Sequence, residues 1–272
     1  MVNIRKPSVA GYFYPGSAKE LRIETEKLLE DIRIFKEAEH IYGIISPHAG
    51  YIYSGKTAAH AYAQVKGKNY KTVVVIAPSH REYFQGCSIY KGEAYETPLG
   101  ITELDKTKSG TLCKTAKHLF EGFEGHRGEH SLEVQLPFLQ SVLGDFKIIP
   151  VVVGDQSKIF LYDLASALTE IIDEETLLVA STDLSHFHNA QDANQLDALV
   201  ESGIESFDFE KLIKDSATHK LEACGLGPVV VVMKTLWDYG IRKSAVLKRC
   251  TSGDASGDYS EVVGYLSALL YR

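Results

Sequence analysis

The sequence contains few cysteines, and they do not form close pairs. The four cysteines, at positions 87, 113, 224 and 250, are far apart, and none belongs to a Cys-x-x-Cys motif. Four cysteines would allow two disulfides, but an intracellular chain does not need them. A chain of 272 residues buries enough surface to be stable without disulfides. We therefore expect Cys87 and Cys113 to be small buried residues.

The chain also lacks a surplus of positive charge and a long apolar run. Its net charge is -7, and no stripe of lysine and arginine offers the electrostatic surface that nucleic-acid binding needs. No stretch approaches the ~18 apolar residues that cross a membrane. Residues 1–15 lack the apolar core of a secretory leader. We therefore expect a cytoplasmic protein that binds neither nucleic acid nor membranes.

Low-complexity segments, linkers and internal repeats are absent as well, so we predict one domain over residues 1–272. Short β-branched runs predict strands at 42–46, 72–77, 147–153, 176–181, 245–248 and 262–269. Amphipathic stretches predict helices at 21–35, 57–65, 132–143, 161–172, 192–218 and 229–239. Ser54 would cap the second of these helices.

The predicted strands are apolar along their whole length, which is typical of a sheet that is covered on both faces. With helices between the strands, this pattern predicts an α/β fold, a single-domain three-layer α/β/α sandwich around a mostly parallel or mixed central sheet. The two late strands could run antiparallel. The pattern does not give the strand order.

Polar loops of similar form follow three of the predicted strands. His48 comes after residues 44–47 (IISP), His80 after 75–79 (VIAPS), and Asp183 with His186 after 179–182 (VAST). In a parallel sheet the carboxyl ends of the strands share one edge, where ligands bind in open α/β folds. The sequence therefore predicts that three distant loops deliver imidazoles and a carboxylate to one crevice, provided that the three strands are parallel.

Cys224 is a further candidate for this crevice. It precedes a glycine-rich turn and a predicted helix, and the positive end of a helix favours the thiolate that binds metals. Two imidazoles and a thiolate would form a three-ligand site with an open position for iron, copper or zinc. Two histidines with Asp183 would instead give a common non-haem Fe(II) arrangement. A buried structural thiol is the simpler alternative.

Residues 128–137 (GEHSLEVQLP) form another polar segment. His130 and Glu133 are three residues apart and would share a helix face. The pattern is half of a metal-binding motif, so it is interpreted either as a surface and capping pattern or as a pair that orients a metal ligand.

Taken in order along the chain, the motifs resemble those of the Memo family, also described as AmmeMemoRadiSam system protein B. They are AGYFYP at 10–15, PHAGY at 47–51, PSH at 78–80, EHSLE at 129–133, DLSH at 183–186, CG at 224–225 and TSGD at 251–254. This resemblance implies a fold similar to the class III extradiol dioxygenases, which use non-haem Fe(II).

The resemblance also implies roles for individual residues. His48, His80 and Cys224 would be the metal ligands, with cysteine in place of the dioxygenase glutamate. Asp183 and His186 would line the pocket, with His186 as an acid or base, and His130 completes our set of candidate catalytic residues. Fe(II) is the first expectation for the metal, with copper or zinc as alternatives. Relatives suggest a radical-SAM-system partner and, in vertebrates, phosphotyrosine-peptide binding.

Three functions remain open from the sequence. The first is a metal-binding redox protein or oxidoreductase whose substrate is a small molecule. The second is a module without turnover that binds a peptide or an anion in the same crevice. The third is a hydrolase that depends either on Cys224 as nucleophile or on zinc.

Overall fold

The computed structural model describes residues 3–272. The strands, in chain order, are β1 (Ile4–Arg5), β2 (Ile41–Ser46), β3 (Thr72–Pro78), β4 (Cys87–Tyr90), β5 (Ala94–Thr97), β6 (Gly100–Glu103), β7 (Leu119–Gly122), β8 (Lys147–Val153), β9 (Thr176–Ser181), β10 (His186–His188), β11 (Lys243–Thr251) and β12 (Val262–Tyr271). The helices are α1 (Ala18–Leu29), α2 (Tyr51–Tyr62), α3 (Lys106–Thr115), α4 (Leu136–Val142), α5 (Lys158–Leu168), α6 (Ala190–Glu205), α7 (Phe209–Ala217), α8 (Leu226–Tyr239) and α9 (Gly253–Ser256). A 3₁₀ turn, Glu133–Gln135, leads into α4.

Most strands belong to one mixed sheet, ordered β10-β12-β2-β9-β3-β8-β4-β7, with β11 paired to β12. The neighbours β2, β9, β3 and β8 are parallel. β12 is antiparallel to both β2 and β11, and β4 is antiparallel to β8. The predicted sheet type is therefore confirmed, and the late strands are antiparallel. Strands β1, β5 and β6 form a separate small sheet.

The alternation of side chains along β3 shows why helices cover both faces of the sheet. Val74 and Ile76 pack in one core with α3, α5, α6, α7 and α8. Val73, Val75 and Ala77 point the other way and pack with α1, α2 and α4. All seven residues of β3 are buried, so both faces need a helical layer. The predicted three-layer sandwich is confirmed. None of the described helices is long and apolar enough to cross a membrane.

The segment from β4 to β7 was not predicted. Its strands are four residues long, and its helix α3 (KTKSGTLCKT) buries only Ser109 and Leu112. Short elements with so few apolar residues give no clear periodicity. One usable signal was Asp105, which caps α3 by accepting a hydrogen bond from the backbone N–H of Lys108 at 3.0 Å.

The prediction that Ser54 caps a helix is wrong. Helix α2 begins at Tyr51 with Gly50 as its N-cap, and the hydroxyl of Ser54 donates to the carbonyl oxygen of Ala49 inside the first turn. The helix therefore starts three residues after His48. The helices predicted through 192–218 are two, α6 and α7, and they separate at Phe207, a residue with a left-handed φ of 55°.

Candidate metal centre

Three loops follow neighbouring parallel strands at one edge of the sheet. His48 lies two residues beyond β2, His80 two beyond β3 and Asp183 two beyond β9. Strand β9 lies between β2 and β3 and is parallel to both. The shared crevice required this arrangement, so that part of the sequence prediction is confirmed. It is the position at which open α/β sheets bind ligands.

Three imidazoles and one thiol converge in this crevice. The ring centroid of His48 lies 5.1 Å from that of His80 and 5.5 Å from that of His130, and the latter two are 4.8 Å apart. The Sγ atom of Cys224 lies 3.1 Å from Nε2 of His48. One donor atom from each of His48, His80 and Cys224 falls within 4.8 Å of the others. The structure thus brings together the three residues that were predicted as metal ligands.

His48 is buried, and both its ring and its backbone N–H group form hydrogen bonds. Its Nδ1 lies 2.8 Å from the hydroxyl oxygen of Ser181, and its backbone N–H donates to Oδ1 of Asp183 at 2.7 Å. Burial, reinforced by the neighbouring imidazoles of His80 and His130, holds the pKa of His48 well below its usual value. The ring is therefore neutral at pH 7, and Nε2 is the nitrogen left for a ligand.

Glu129 is a residue of the crevice to which the sequence analysis gave no role of its own. Its Oε2 accepts the backbone N–H of His80 at 2.6 Å, and its Oε1 lies 3.0 Å from Nδ1 of the same histidine. Backbone N–H groups of His130 and Ser131 also donate to Oε1. Burial opposes ionisation, but hydrogen bonds from His130, His80 and the backbone hold the pKa of Glu129 far below its usual value. Glu129 thus orients the ring of His80 as an anionic acceptor. Its signals in the sequence were the EHSLE motif that it begins and its position next to a loop histidine.

Cys224 sits at the amino end of α8, where the turn fits tightly against β9. Its backbone N–H donates to the carbonyl oxygen of Asp183, and the N–H of Asp183 points to Sγ, each at 3.3 Å. A Cβ at the next residue, Gly225, would lie 2.1 Å from the carbonyl oxygen of Ser181. Burial, with the nearby Asp183 carboxyl, raises the pKa of the thiol well above its usual value. The expectation that the helix end favours the thiolate is therefore wrong for the metal-free protein, because desolvation is the larger effect.

The three candidate catalytic residues lie around this cluster. Oδ2 of Asp183 is 4.0 Å from Nε2 of His48, and burial raises the pKa of the carboxyl to about 7. His186 begins β10, and its Nδ1 lies 2.8 Å from the carbonyl oxygen of Leu184, so Nδ1 donates and Nε2 stays available. Burial also lowers the pKa of His186. Nδ1 of His130 lies 3.1 Å from Oε1 of Glu129.

His130 and Glu133 do not act as a pair. Glu133 is fully buried, and it accepts hydrogen bonds from the backbone N–H groups of Ser8 and Val9, from the hydroxyl of Tyr14 and from the guanidinium of Arg5. The interpretation as a surface or capping pattern is therefore wrong, and it is Glu129, not Glu133, that contacts the imidazole of His80. Glu133 instead joins residues 5–14 to the 3₁₀ turn before α4 through these hydrogen bonds.

His126 accepts a hydrogen bond from Arg5 through its carbonyl oxygen, and its buried imidazole makes the free energy of unfolding depend on pH. Its Nδ1 is 2.6 Å from the hydroxyl of Tyr95, and burial lowers the pKa of His126 to about 3. Below pH 6.5 the unfolded chain therefore binds a proton that the folded protein does not, which costs about 1.4 kcal/mol per pH unit, or about 2 kcal/mol at pH 5. Above pH 6.5 the effect vanishes.

We expect the variant His126→Gln to lose this contribution. Urea unfolding from about pH 7 to pH 4 should show a shallower fall of the unfolding free energy in the variant than in the wild type. Parallel profiles would mean that the pKa of His126 is the same in the folded protein as in the unfolded chain.

The donor set suits a divalent transition metal. Two imidazole nitrogens and one sulfur are ligands that zinc, iron and copper all accept, and three protein ligands leave a position open. The other nitrogens of His48 and His80 have hydrogen-bond partners, as is typical of metal-bound histidines. The group His80, Glu129 and His130 is equally compact. It suits a metal less well because the Glu129 oxygens already accept several N–H groups.

Fold and crevice together define an α/β protein with a histidine–cysteine cluster at the carboxyl edge of its parallel strands. A family model described as Memo-like protein matches residues 5–269. A MEMO1 family protein of Thermotoga neapolitana is 39% identical over 98% of this chain and 99% of its own length. Another, from Methanobrevibacter smithii, is 37% identical with the same coverage. The chain belongs to the Memo family, as the ordered motifs predicted.

One solved structure supports the fold alone. The uncharacterized protein JW3007 from Escherichia coli K12 superposes with a TM-score of 0.51 over 85% of this chain and 99% of that protein. Only 12% of the aligned residues are identical, so the likeness extends to the backbone architecture and not to the chemistry.

Proposed function

We propose that this Memo-family protein is a metal-dependent oxidoreductase that binds Fe(II) on His48, His80 and Cys224 and acts on a small molecule. The observation that carries the proposal is that one donor atom from each of the three residues lies within 4.8 Å of the other two. The hydrogen bonds to Nδ1 of His48 and of His80 support it, since they leave the opposite nitrogens for a metal. Copper would suit the same donors.

The surrounding residues would bind substrate and move protons. Bound Fe(II) or copper would supply electron transfer and polarise a group at the open position. Nε2 of His186 is available to accept a proton, because Nδ1 donates to Leu184. Asp183 has a carboxyl near the ligands that can carry a proton near neutrality. The ring of Phe13 lies 4.8 Å from that of His130 and gives this side of the crevice an apolar wall.

Metal content tests the proposal directly. Anaerobic, tag-free preparation should yield about one metal ion per chain in the wild type, and roughly a tenth of that or less in Cys224→Ala, measured by elemental analysis. The matched control is Cys113→Ala, which removes a half-buried thiol from α3 and should keep the wild-type content. Circular dichroism checks that both variants are folded.

The alternatives give different results in the same experiment. A protein that stays metal-free in every variant, even after reloading, would refute the metal site and leave two candidates, a binding module for a peptide or an anion and a hydrolase with Cys224 as nucleophile. Stoichiometric zinc in place of iron or copper would favour the zinc hydrolase. A Cys224 nucleophile has less support, because burial raises the pKa of its thiol and the thiolate is the reactive form. The radical-SAM-system partner stays a prediction.

A further inference from the structure

Ser181, the last residue of β9, lies at the centre of a buried hydrogen-bond network behind His48. Its hydroxyl oxygen is 2.7 Å from the carbonyl oxygen of Ser131, 2.9 Å from Nε2 of Gln135 and 2.8 Å from Nδ1 of His48. Ser181 and Gln135 are both buried. A hydroxyl has one hydrogen and two lone pairs, so these three partners use its full capacity.

The orientation of Gln135 follows from its other partners. Its Nε2 lies 3.0 Å from the carbonyl oxygen of Pro47, an atom that can only accept a hydrogen bond. Its Oε1 accepts the hydroxyl hydrogen of Tyr62 at 2.6 Å. The amide nitrogen must therefore face Pro47, and the second hydrogen of that nitrogen is donated to Ser181. This removes the usual ambiguity between amide oxygen and nitrogen.

The carbonyl group of Ser131 then decides where the hydroxyl hydrogen of Ser181 points. This carbonyl oxygen can only accept, and within residues 3–272 the hydroxyl of Ser181 is the donor that reaches it. If Ser181 turned its hydrogen to His48, a buried carbonyl would lose its partner, which is unfavourable. Ser181 therefore donates to Ser131, accepts from Gln135, and has one lone pair left for His48.

We propose that Ser181 is a positioning residue that fixes His48 in the tautomer with hydrogen on Nδ1, and that Gln135 holds the Ser181 hydroxyl for this task. The inference rests on the proposed metal site and deepens it, because the lone pair of Nε2 then faces Cys224, whose Sγ is 3.1 Å away. Glu129 fixes the same tautomer in His80, because an ionised carboxylate can only accept the hydrogen carried by Nδ1. Both imidazoles thus have a free lone pair on Nε2 for a metal ion before any metal is bound.

Nitrogen-15 NMR of histidine-labelled, metal-free protein reads the tautomer directly. At about pH 8, where imidazole is neutral, His48 of the wild type should carry its hydrogen on Nδ1. In Ser181→Ala the acceptor for that hydrogen is gone, so the signal should move towards the form with hydrogen on Nε2. The matched control is Ser267→Ala, which removes another fully buried hydroxyl from a strand of the same sheet and should leave the His48 signals unchanged.

A second readout is metal affinity by chelator competition, for which we expect a 10- to 100-fold weakening in Ser181→Ala and none in Ser267→Ala. Hydrogen on Nε2 of His48 in the wild type overturns the inference, even if Ser181→Ala fails to fold. Unchanged His48 signals in a folded Ser181→Ala overturn it as well. A wild type that shows the Nδ1 tautomer but never binds metal refutes the proposed function while leaving the positioning role intact.

Discussion

Replacing Glu133 with alanine should lower the free energy of unfolding by about 3–5 kcal/mol. The side chain is fully buried and accepts hydrogen bonds from Arg5, from the hydroxyl of Tyr14 and from two backbone N–H groups. Without the carboxylate, the buried guanidinium of Arg5 loses its negatively charged partner, and the hydroxyl of Tyr14 and the backbone N–H groups of Ser8 and Val9 lose their acceptor. Urea unfolding monitored by circular dichroism measures the difference.

Two controls separate this effect from an ordinary ion-pair loss. Glu210→Ala breaks an exposed pair with Lys158 and should cost less than about 1 kcal/mol. The double variant Arg5→Met with Glu133→Leu removes both charges and should recover part of the loss, because no unpaired charge stays buried. A Glu133→Ala variant as stable as Glu210→Ala would show that water or another group replaces the carboxylate.

On the proposed function, replacing Gly225 with alanine should abolish metal binding, although Gly225 is not itself one of the metal-binding residues. The new Cβ would lie 2.1 Å from the carbonyl oxygen of Ser181 and 2.8 Å from Cβ of Thr182, and the first of these is backbone of the strand end. The start of α8 must therefore move away from β9, and Cys224 moves with it. We expect metal content as low as in Cys224→Ala and a loss of about 1–3 kcal/mol in stability.

Gly110→Ala is the matched control for this change. Gly110 lies inside α3, and a Cβ there would meet nothing within 4 Å. Alanine in a helix interior should raise stability by about 0.5–1 kcal/mol and leave metal content unchanged. If Gly225→Ala retained full metal content, Cys224 would not need its present position.

The sheet and its crevice were predictable because their signals are local. Each central strand is a continuous apolar run, and each is followed by a polar loop, so parallel pairing alone places His48, His80 and Asp183 together. Nothing local identifies Ser181 or Gln135. They are a strand-end serine and a glutamine in a 3₁₀ turn, and only their contacts with His48 and Pro47 give them a role.

Competing long-range effects explain the two chemical expectations that were wrong. For Cys224 the partial charge of a helix end is visible in the sequence, but the extent of burial that raises the thiol pKa depends on how β9 and α8 pack. For Glu133 the spacing to His130 suggested a shared helix face. The side chain instead turns to Arg5, 128 positions away, a contact that no spacing within one helix could reveal.

The crevice is built from parts of the chain that are far apart in sequence, since His48 and Cys224 are 176 positions apart. Synthesis proceeds from the amino end, so a growing chain displays His48 and His80 long before the thiol is made. Strand β2, which leads to His48, also pairs with β12, near the end of the described residues. A nascent chain therefore has no complete crevice, and on the proposed function it could take up a metal ion only after β12 has paired with β2.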